Sequence, residues 1–494
     1  MKPFPVRLLS VLILLVLMPA AACAGDDLPY MTYNYDYWSS VVYTPAAYVP
    51  DLTLRGTDFG LDGQPIGAFL TPQDMCIAPS GEIYVADTGN NRIVVLDMRM
   101  QKAVRIIDGF DNAGVSDTFS SPYGVAVSQK GRIYIADSKN KRIVILNADG
   151  TLSSIVSNPQ SDVLEDGFVF IPLKVCVDYA DRIYCIAQKM FEGIMVFESG
   201  GRFTGFYGTI QVKISLWEKF WRKIATKEER SKQQLFIPTE FTGIDIDDEG
   251  FVYASNVDTD GVQAVRRLNP RGQDVILKGA KKNLGGDLWI GGFTMYAGPS
   301  KIVDVVYRGK GIYSLLDAKR GRIFTYDHEG NLLYIFGGLG TQAGTFTTPA
   351  AIEEKDGNLL VLDAYQSSIL TFRQTEYGSL INQAVGLRYN GDEKQAVAIW
   401  ERVLRMDENN ELANTGIGKA LLAAGDNGEA LKYLMRGMNK AYYSVAFKRY
   451  RNEWFKKNMN WILSLAIILA AVSVLGVRCR KKLRIRRGIG RKAA

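Results

Sequence analysis

Gly81-Glu-Ile-Tyr-Val-Ala-Asp87-Thr-Gly-Asn-Asn-Arg92-Ile-Val-Val-Leu96 returns fifty residues later as Gly131-Arg-Ile-Tyr-Ile-Ala-Asp137-Ser-Lys-Asn-Lys-Arg142-Ile-Val-Ile-Leu146. Weaker copies follow as Asp181-Arg-Ile-Tyr184, Gly250-Phe-Val-Tyr253, Gly311-Ile-Tyr313-Ser-Leu-Leu-Asp317 and Gly357-Asn-Leu-Leu-Val-Leu-Asp363. Self-similarity at such a period marks a repeat architecture, and the alternation of apolar and polar residues marks strands. Three units open with a Phe/Pro lead-in (Phe69 and Pro72, Phe119 and Pro122, Phe346 and Pro349), and each continues as alternating run, glycine turn, alternating run and polar turn. About fifty residues accommodate four short strands with their turns. Radial repetition of four-stranded sheets is a β-propeller, and six units predict six blades over 51–375. The stretch Tyr48–Leu54 is placed to add a closing strand to the last blade.

Within these units Asp87 and Arg92, Asp137 and Arg142, and Asp317 and Arg322 keep one spacing of five. That spacing suits a hairpin in which the carboxylate accepts turn amides and faces the arginine. In the sixth unit Ser368 takes the arginine's place. The run Tyr-Val-Ala-Asp-Thr-x-Asn-x-Arg-Ile resembles the NHL repeat, closely in the first two units and more faintly in the others.

The two ends of the chain differ from its middle. Of the 59 Lys and Arg, two precede residue 25 and nine follow residue 477, which leaves 48 against all 52 acidic residues in between. A slightly acidic main body argues against nucleic acid as a partner. Residues 1–24, with Lys2, Arg7, an apolar run and Ala22-Cys23-Ala24, read as a secretory signal peptide, with lipidation of Cys23 as the other reading. Met459–Val477 is uncharged and close to the length a spanning helix needs. The basic tail, 478–494, then places the C-terminus in the cytoplasm and the large domain outside, in a single-pass cell-membrane protein. Cys76 and Cys176 each follow a proline by four, and with Cys185 they read as small buried residues rather than a disulfide framework.

Three further segments stand out. An aromatic-rich strap, 25–50, precedes the propeller and suits packing along its wall or stacking on a sugar. A basic helical insertion, 213–234, carries Trp217, Phe220 and Trp221 at helical spacing, which suits packing, a membrane surface or a partner groove. After the propeller, Ala384 and Gly418, Leu387 and Leu421, Gly391 and Gly425, and Ala396 and Ala430 are separated by 34. That period over 377–444 resembles two tetratricopeptide repeats. A juxtamembrane helix, 445–458, joins them to the span.

The single histidine, His328, leaves no histidine-rich metal site or His-based triad. Six-bladed propellers similar to the NHL type include gluconolactonase-like hydrolases, whose resemblance implies a divalent metal held by acids in the channel. Asp74, Glu240 and Asp304 are the residues this reading selects, and carboxylates of that kind suit Ca²⁺ or Mg²⁺. The first expectation is nevertheless a non-enzymatic scaffold without a cofactor. The whole order of segments resembles bacterial cell-surface NHL-repeat membrane proteins. That resemblance implies a protein or glycan partner and an accessory role beside ABC transporter components in solute uptake.

Overall fold

The computed structural model describes residues 28–164, 167–208, 240–258, 262–278 and 284–490. The expected signal peptide and the insertion with Trp217, Phe220 and Trp221 lie outside the described residues. The chain divides into two compact units, Met1–Gly391 and Asp392–Ala494.

The first unit is a ring of six antiparallel sheets. Blade 1 comprises Asp74–Ile77, Ile83–Asp87, Arg92–Leu96 and Ala103–Ile107. Blade 2 comprises Pro122–Val127, Ile133–Asp137, Arg142–Leu146 and Leu152–Ser157. Blade 3 comprises Pro172–Val177, Ile183–Ala187, Ile194–Phe197 and Phe203–Tyr207. Blade 4 has, among the described residues, three strands: Phe241–Ile246, Val252–Asn256 and Val265–Leu268. Blade 5 runs Ile302–Tyr307, Tyr313–Asp317, Arg322–Tyr326 and Leu332–Phe336. The strap adds Tyr33–Tyr35 and Val41–Tyr43 to its outer edge, giving a six-stranded sheet.

Blade 6 is built from both ends of the propeller sequence. Pro349–Lys355, Asn358–Asp363 and Ser368–Gln374 supply three strands, and Tyr48–Arg55 pairs antiparallel with the last, with Tyr48 opposite Gln374 and Arg55 opposite Ser368. The first strands of the six blades neighbour one another in order, and blade 6 returns to blade 1, so the ring is closed. Hydrogen bonding of Tyr48–Arg55, which precedes blade 1 in the sequence, to the last unit ties the two ends of the propeller sequence together.

The core lies between blades. Ile143, Ile145 and Val156 of blade 2 pack with Phe170, Val175, Ile183 and Met195 of blade 3, and the same layer recurs around the ring. Consecutive apolar residues supply both faces of a strand, Ile143 and Ile145 packing on one side and Val144 and Leu146 on the other, which is what a sheet covered on both sides requires.

Helix α1 (Glu376–Tyr389) ends this unit, capped at its start by the Thr375 hydroxyl accepting the Gly378 amide. In the second unit, α2 (Glu393–Met406), α3 (Glu411–Ala424) and α4 (Asn427–Arg436) bury Trp400, Ala413, Ile417, Ala430 and Leu434. Gly418 faces Leu434 so closely that an added Cβ would lie 2.6 Å from its Cγ. Helix α5 (Lys440–Gly490) runs without interruption, and Lys440–Lys481 within it is long and apolar enough to cross a membrane, with none of its most apolar window buried.

Candidate functional site: the channel and the two rims

The ring register decides which side chains face the axis. Pro122, Pro172, Phe241, Ile302 and Pro349 occupy one slot of their first strands, opposite Asp137, Ala187, Asn256, Asp317 and Asp363. Two residues onward, the slot holds Asp74, Gly124, Lys174, Gly243, Asp304 and Ala351 in blade order. Charged and small residues alternate around the axis.

This alternation lets three charged side chains meet. Lys174 Nζ lies 2.9 Å from Asp74 Oδ1 and 3.0 Å from Asp304 Oδ2, and all three residues are buried. Asp74 also accepts the Val125 amide at 3.1 Å, and Asp304 the Ile352 amide at 3.0 Å. The intervening glycines make room: a Cβ on Gly124 would stand 2.4 Å from the Leu173 carbonyl oxygen, and one on Gly243 2.5 Å from Asp304 Cα. Burial pushes the Asp74 carboxyl up and that of Asp304 to about 6, while the two neighbouring carboxylates hold the Lys174 ammonium above its usual range. One ammonium neutralises one of two carboxylates, so the second is the group whose ionisation low polarity opposes.

Two residues further on, the next slot holds Cys76, Ala126, Cys176, Asp245, Val306 and Glu353. Asp245 accepts the Tyr307 amide at 2.6 Å and the Ile246 amide at 2.8 Å, and burial lifts its carboxyl to about 7. Glu353 is raised well above the glutamate range by burial, then by Asp245, Asp304 and Asp74, although it keeps some solvent contact. Cys76, Cys176 and Cys185 are free thiols, pushed up by burial.

Of the residues selected for a metal, Asp74 and Asp304 come together and Glu240 does not join them. Glu240 is half-buried just before Phe241, whereas the ion pairs of the centre run from Lys174 to Asp74 and Asp304. Among the described residues no group of three His, Cys, Asp or Glu is arranged to hold a metal ion. The donor set does not fit Ca²⁺ or Mg²⁺, because an ammonium already stands between the two carboxylates. Lys174 was legible in principle: it follows Pro172 by two, as Asp74 follows Pro72. Asp245 and Glu353 occupy the slot of Cys76 and Cys176.

The hairpin pairs divide. Arg92 Nε meets Asp87 at 2.7 Å and Arg142 Nε meets Asp137 at 2.8 Å. The other oxygen of each aspartate accepts a lead-in amide, from Leu70 and Ser120, both at 2.7 Å. The expected pair of Asp317 and Arg322 is not formed. Arg320 and Ser300 take the Asp317 carboxylate, and Arg322 donates to the Met31 and Gly337 carbonyls with its guanidinium over the Tyr33 ring. The added strap at blade 5 supplies one of these acceptors, the Met31 carbonyl, and the Tyr33 ring.

The outer rims are distinguished by topology. One carries the connections between blades and the second-to-third turns; the other carries the first-to-second and third-to-fourth turns. On the first rim, 288–300 contains no charge, and Trp289, Phe293, Met295 and Tyr296 are exposed. Its base, with the short strands Trp289–Ile290 and Gly298–Pro299, is clamped by Arg320 donating to the Tyr296 (2.7 Å) and Gly298 (2.6 Å) carbonyls. On the second rim α1 packs against blade 5: Arg388 pairs with Glu329 at 3.0 Å, and the Tyr389 ring meets His328 edge-on at 5.1 Å.

Ring closure, six blades and the Asp/Arg hairpins define a six-bladed β-propeller followed by a helical region with one apolar helix. Two of its repeats, residues 69–96 and 119–146, match a family model described as NHL repeat. No curated protein matches the chain by sequence. Solved structures similar to it include a streptogramin B lyase, 13% identical with a TM-score of 0.38, covering 70% of this chain and 93% of that one. The virginiamycin B lyase from Staphylococcus aureus is 10% identical with a TM-score of 0.39, covering 70% and 95%. A protein of unknown function from Bacteroides thetaiotaomicron is 13% identical with a TM-score of 0.43, covering 68% and 79%. At such identities nothing of their chemistry is carried over to this chain.

Proposed function

We propose that this protein is a membrane-anchored extracytoplasmic binding scaffold without catalytic activity, whose propeller engages a partner protein or glycan beside an ABC-type solute uptake system. The observation that carries the reading is the clamped apolar hairpin at 288–300. Four large apolar side chains held in water on a rigid base are costly to leave uncovered, and aromatic residues with Met are what interface centres concentrate. The helices beyond the propeller belong to the same reading, as two tetratricopeptide-like repeats offering a second contact surface. Apolar α5, with its uncovered middle and basic end, anchors the whole with the tail in the cytoplasm. A hydrolase reading draws no support from the channel, where Lys174 stands between the two acids a metal would need.

A photo-reactive residue placed at 293 in the full chain, in intact cells, is expected to yield a discrete adduct that Tyr179, exposed on the opposite rim, does not yield when replaced in the same way. Protease added to those cells is expected to digest the propeller. Absence of any adduct specific to 293, or a propeller digested only after lysis, overturns the proposal.

A further inference from the structure

Blade 5 does not end at its fourth strand. Beyond Leu332–Phe336 the strap adds Tyr33–Tyr35 and then Val41–Tyr43. The outermost strand thus stands two strand spacings, about 10 Å, past the position at which blades 1, 2 and 3 stop. The inner strand of the strap is held firmly: the Asn34 amide group donates to the Leu333 carbonyl at 3.0 Å, and the Tyr33 and Tyr35 hydroxyls both donate to Asp287. Within the hairpin the Asp36 amide donates to the Ser40 carbonyl at 3.0 Å, Asn34 stands opposite Val42, and the Thr44 amide donates to the Thr32 carbonyl at 3.3 Å. Residues 40, 42 and 44 therefore turn their backbone groups inward, and Val41 and Tyr43 turn theirs outward. Among the described residues no hydrogen bond reaches those two amides and two carbonyls.

This open edge has a defined length. At one end Ser39, with φ of 66°, has its amide already bonded to the Asp36 carbonyl at 3.0 Å. At the other end Pro45, the next outward position, has no amide to offer. Between Tyr37 and Pro50 there is no charged residue. Edge strands that avoid pairing are blunted by charge, as Arg105 does for the outer strand of blade 1. Here the edge instead presents Val41, 51% exposed, and Tyr43, 70% exposed, on one face.

Four outward groups centred on Val42 are complementary to themselves. Antiparallel pairing about a two-fold axis at Val42 sets Val41 opposite Tyr43 of a second copy and Tyr43 opposite its Val41, and all four groups of each chain are bonded. The side chains then meet as aromatic and β-branched neighbours, with no like charges between them. Each copy has used its open edge, so the assembly stops at two. We infer that the protein dimerises by pairing Val41–Tyr43 with the same strand of a second copy, which joins the two blade 5 sheets into one. Anchoring in one membrane raises the effective concentration at which so short a ladder meets its match. The inference uses that anchoring and nothing of the partner binding proposed for 288–300, so each can fail without the other.

The test is disulfide trapping of the full chain in washed membranes, in a Cys479→Ser background that removes the exposed thiol. Val42→Cys is expected to give a dimer on mild oxidation, because Cα atoms of a non-hydrogen-bonded pair lie about 4.5 Å apart, within reach of a disulfide. Tyr179→Cys, exposed on a rim, should remain monomeric. Val41→Pro removes an outward donor and spares the inward ladder, so in the Val42→Cys chain it should lower the dimer yield about tenfold without moving the thermal midpoint. A photo-reactive residue replacing Tyr43 should give the same dimer without oxidation. Monomer at both 42 and 43, a dimer that forms equally at 179, a yield that Val41→Pro leaves undiminished, or an adduct from 43 to a different protein overturns the inference.

Discussion

Lys174 ties three blades together by bridging Asp74 of blade 1 and Asp304 of blade 5 from its own place in blade 3. Removing the ammonium leaves two buried carboxyls that keep the Val125 and Ile352 amides but have no cation between them. Lys174→Met is therefore expected to cost on the order of 3–5 kcal/mol in denaturant unfolding at neutral pH. The loss should shrink toward pH 4, where the carboxyls take up protons, and an undiminished loss at pH 4 would refute the electrostatic account. Glu353 makes a separate prediction. Its carboxyl is raised in the folded state, so the native protein retains a proton that the unfolded chain releases above its ordinary value of 4.5. Folding then binds more protons than unfolding, and stability falls as pH rises from about 4.5 through neutrality. Glu353→Gln should flatten that decline: little change near pH 4, and a higher melting temperature than the parent at pH 8. Equal slopes for the two proteins would contradict the raised carboxyl.

At the scale of elements, ring closure depends on Tyr48–Arg55. This strand comes from the start of the propeller sequence and completes blade 6, with Tyr48 fully buried and its ring stacked on Phe336 at 5.0 Å. It is the outermost strand of its blade, so successive amides point alternately toward Ser368–Gln374 and away from it. Of Thr53→Pro and Leu54→Pro, one removes a ladder donor and the other does not. The damaging substitution is expected to speed hydrogen exchange in blades 6 and 1 while leaving blade 3 near its parent rate. Loss confined to 48–55, or spread equally around the ring, would show that this strand does not pin the closure. The Asp/Arg hairpins show how far one element's rule extends. Asp87 with Arg92 and Asp137 with Arg142 obey it because their surroundings are alike, while the strap at blade 5 draws Arg322 to the Met31 carbonyl and leaves Asp317 to Arg320.

At the scale of the molecule, the two rims of the propeller carry different chemistry. One offers an uncharged, clamped hairpin with Phe293 at its exposed tip, and on the other α1 packs against blade 5 through Arg388 and Tyr389. The channel between them is narrowed by an ion-paired tier, so the surfaces available for recognition lie outside it. Cross-linking from position 293 and from position 179 therefore probe separate faces.

Much of this was legible in the chain itself. Alternation, a fifty-residue period and the Tyr and Asp slots determined the six blades and the closing strand, because a strand's side-chain period and a hairpin's turn are local properties. The uncharged run 459–477 within α5 was equally plain. The tertiary structure alone decided what meets at the axis. Asp74, Lys174 and Asp304 are separated by 100 and 130 residues in sequence and become neighbours only because the ring brings equivalent slots together. A lysine between two acids and a lone pair of acids look the same along a chain. Which of them a site contains depends on distances of about 3 Å that closure of the ring sets.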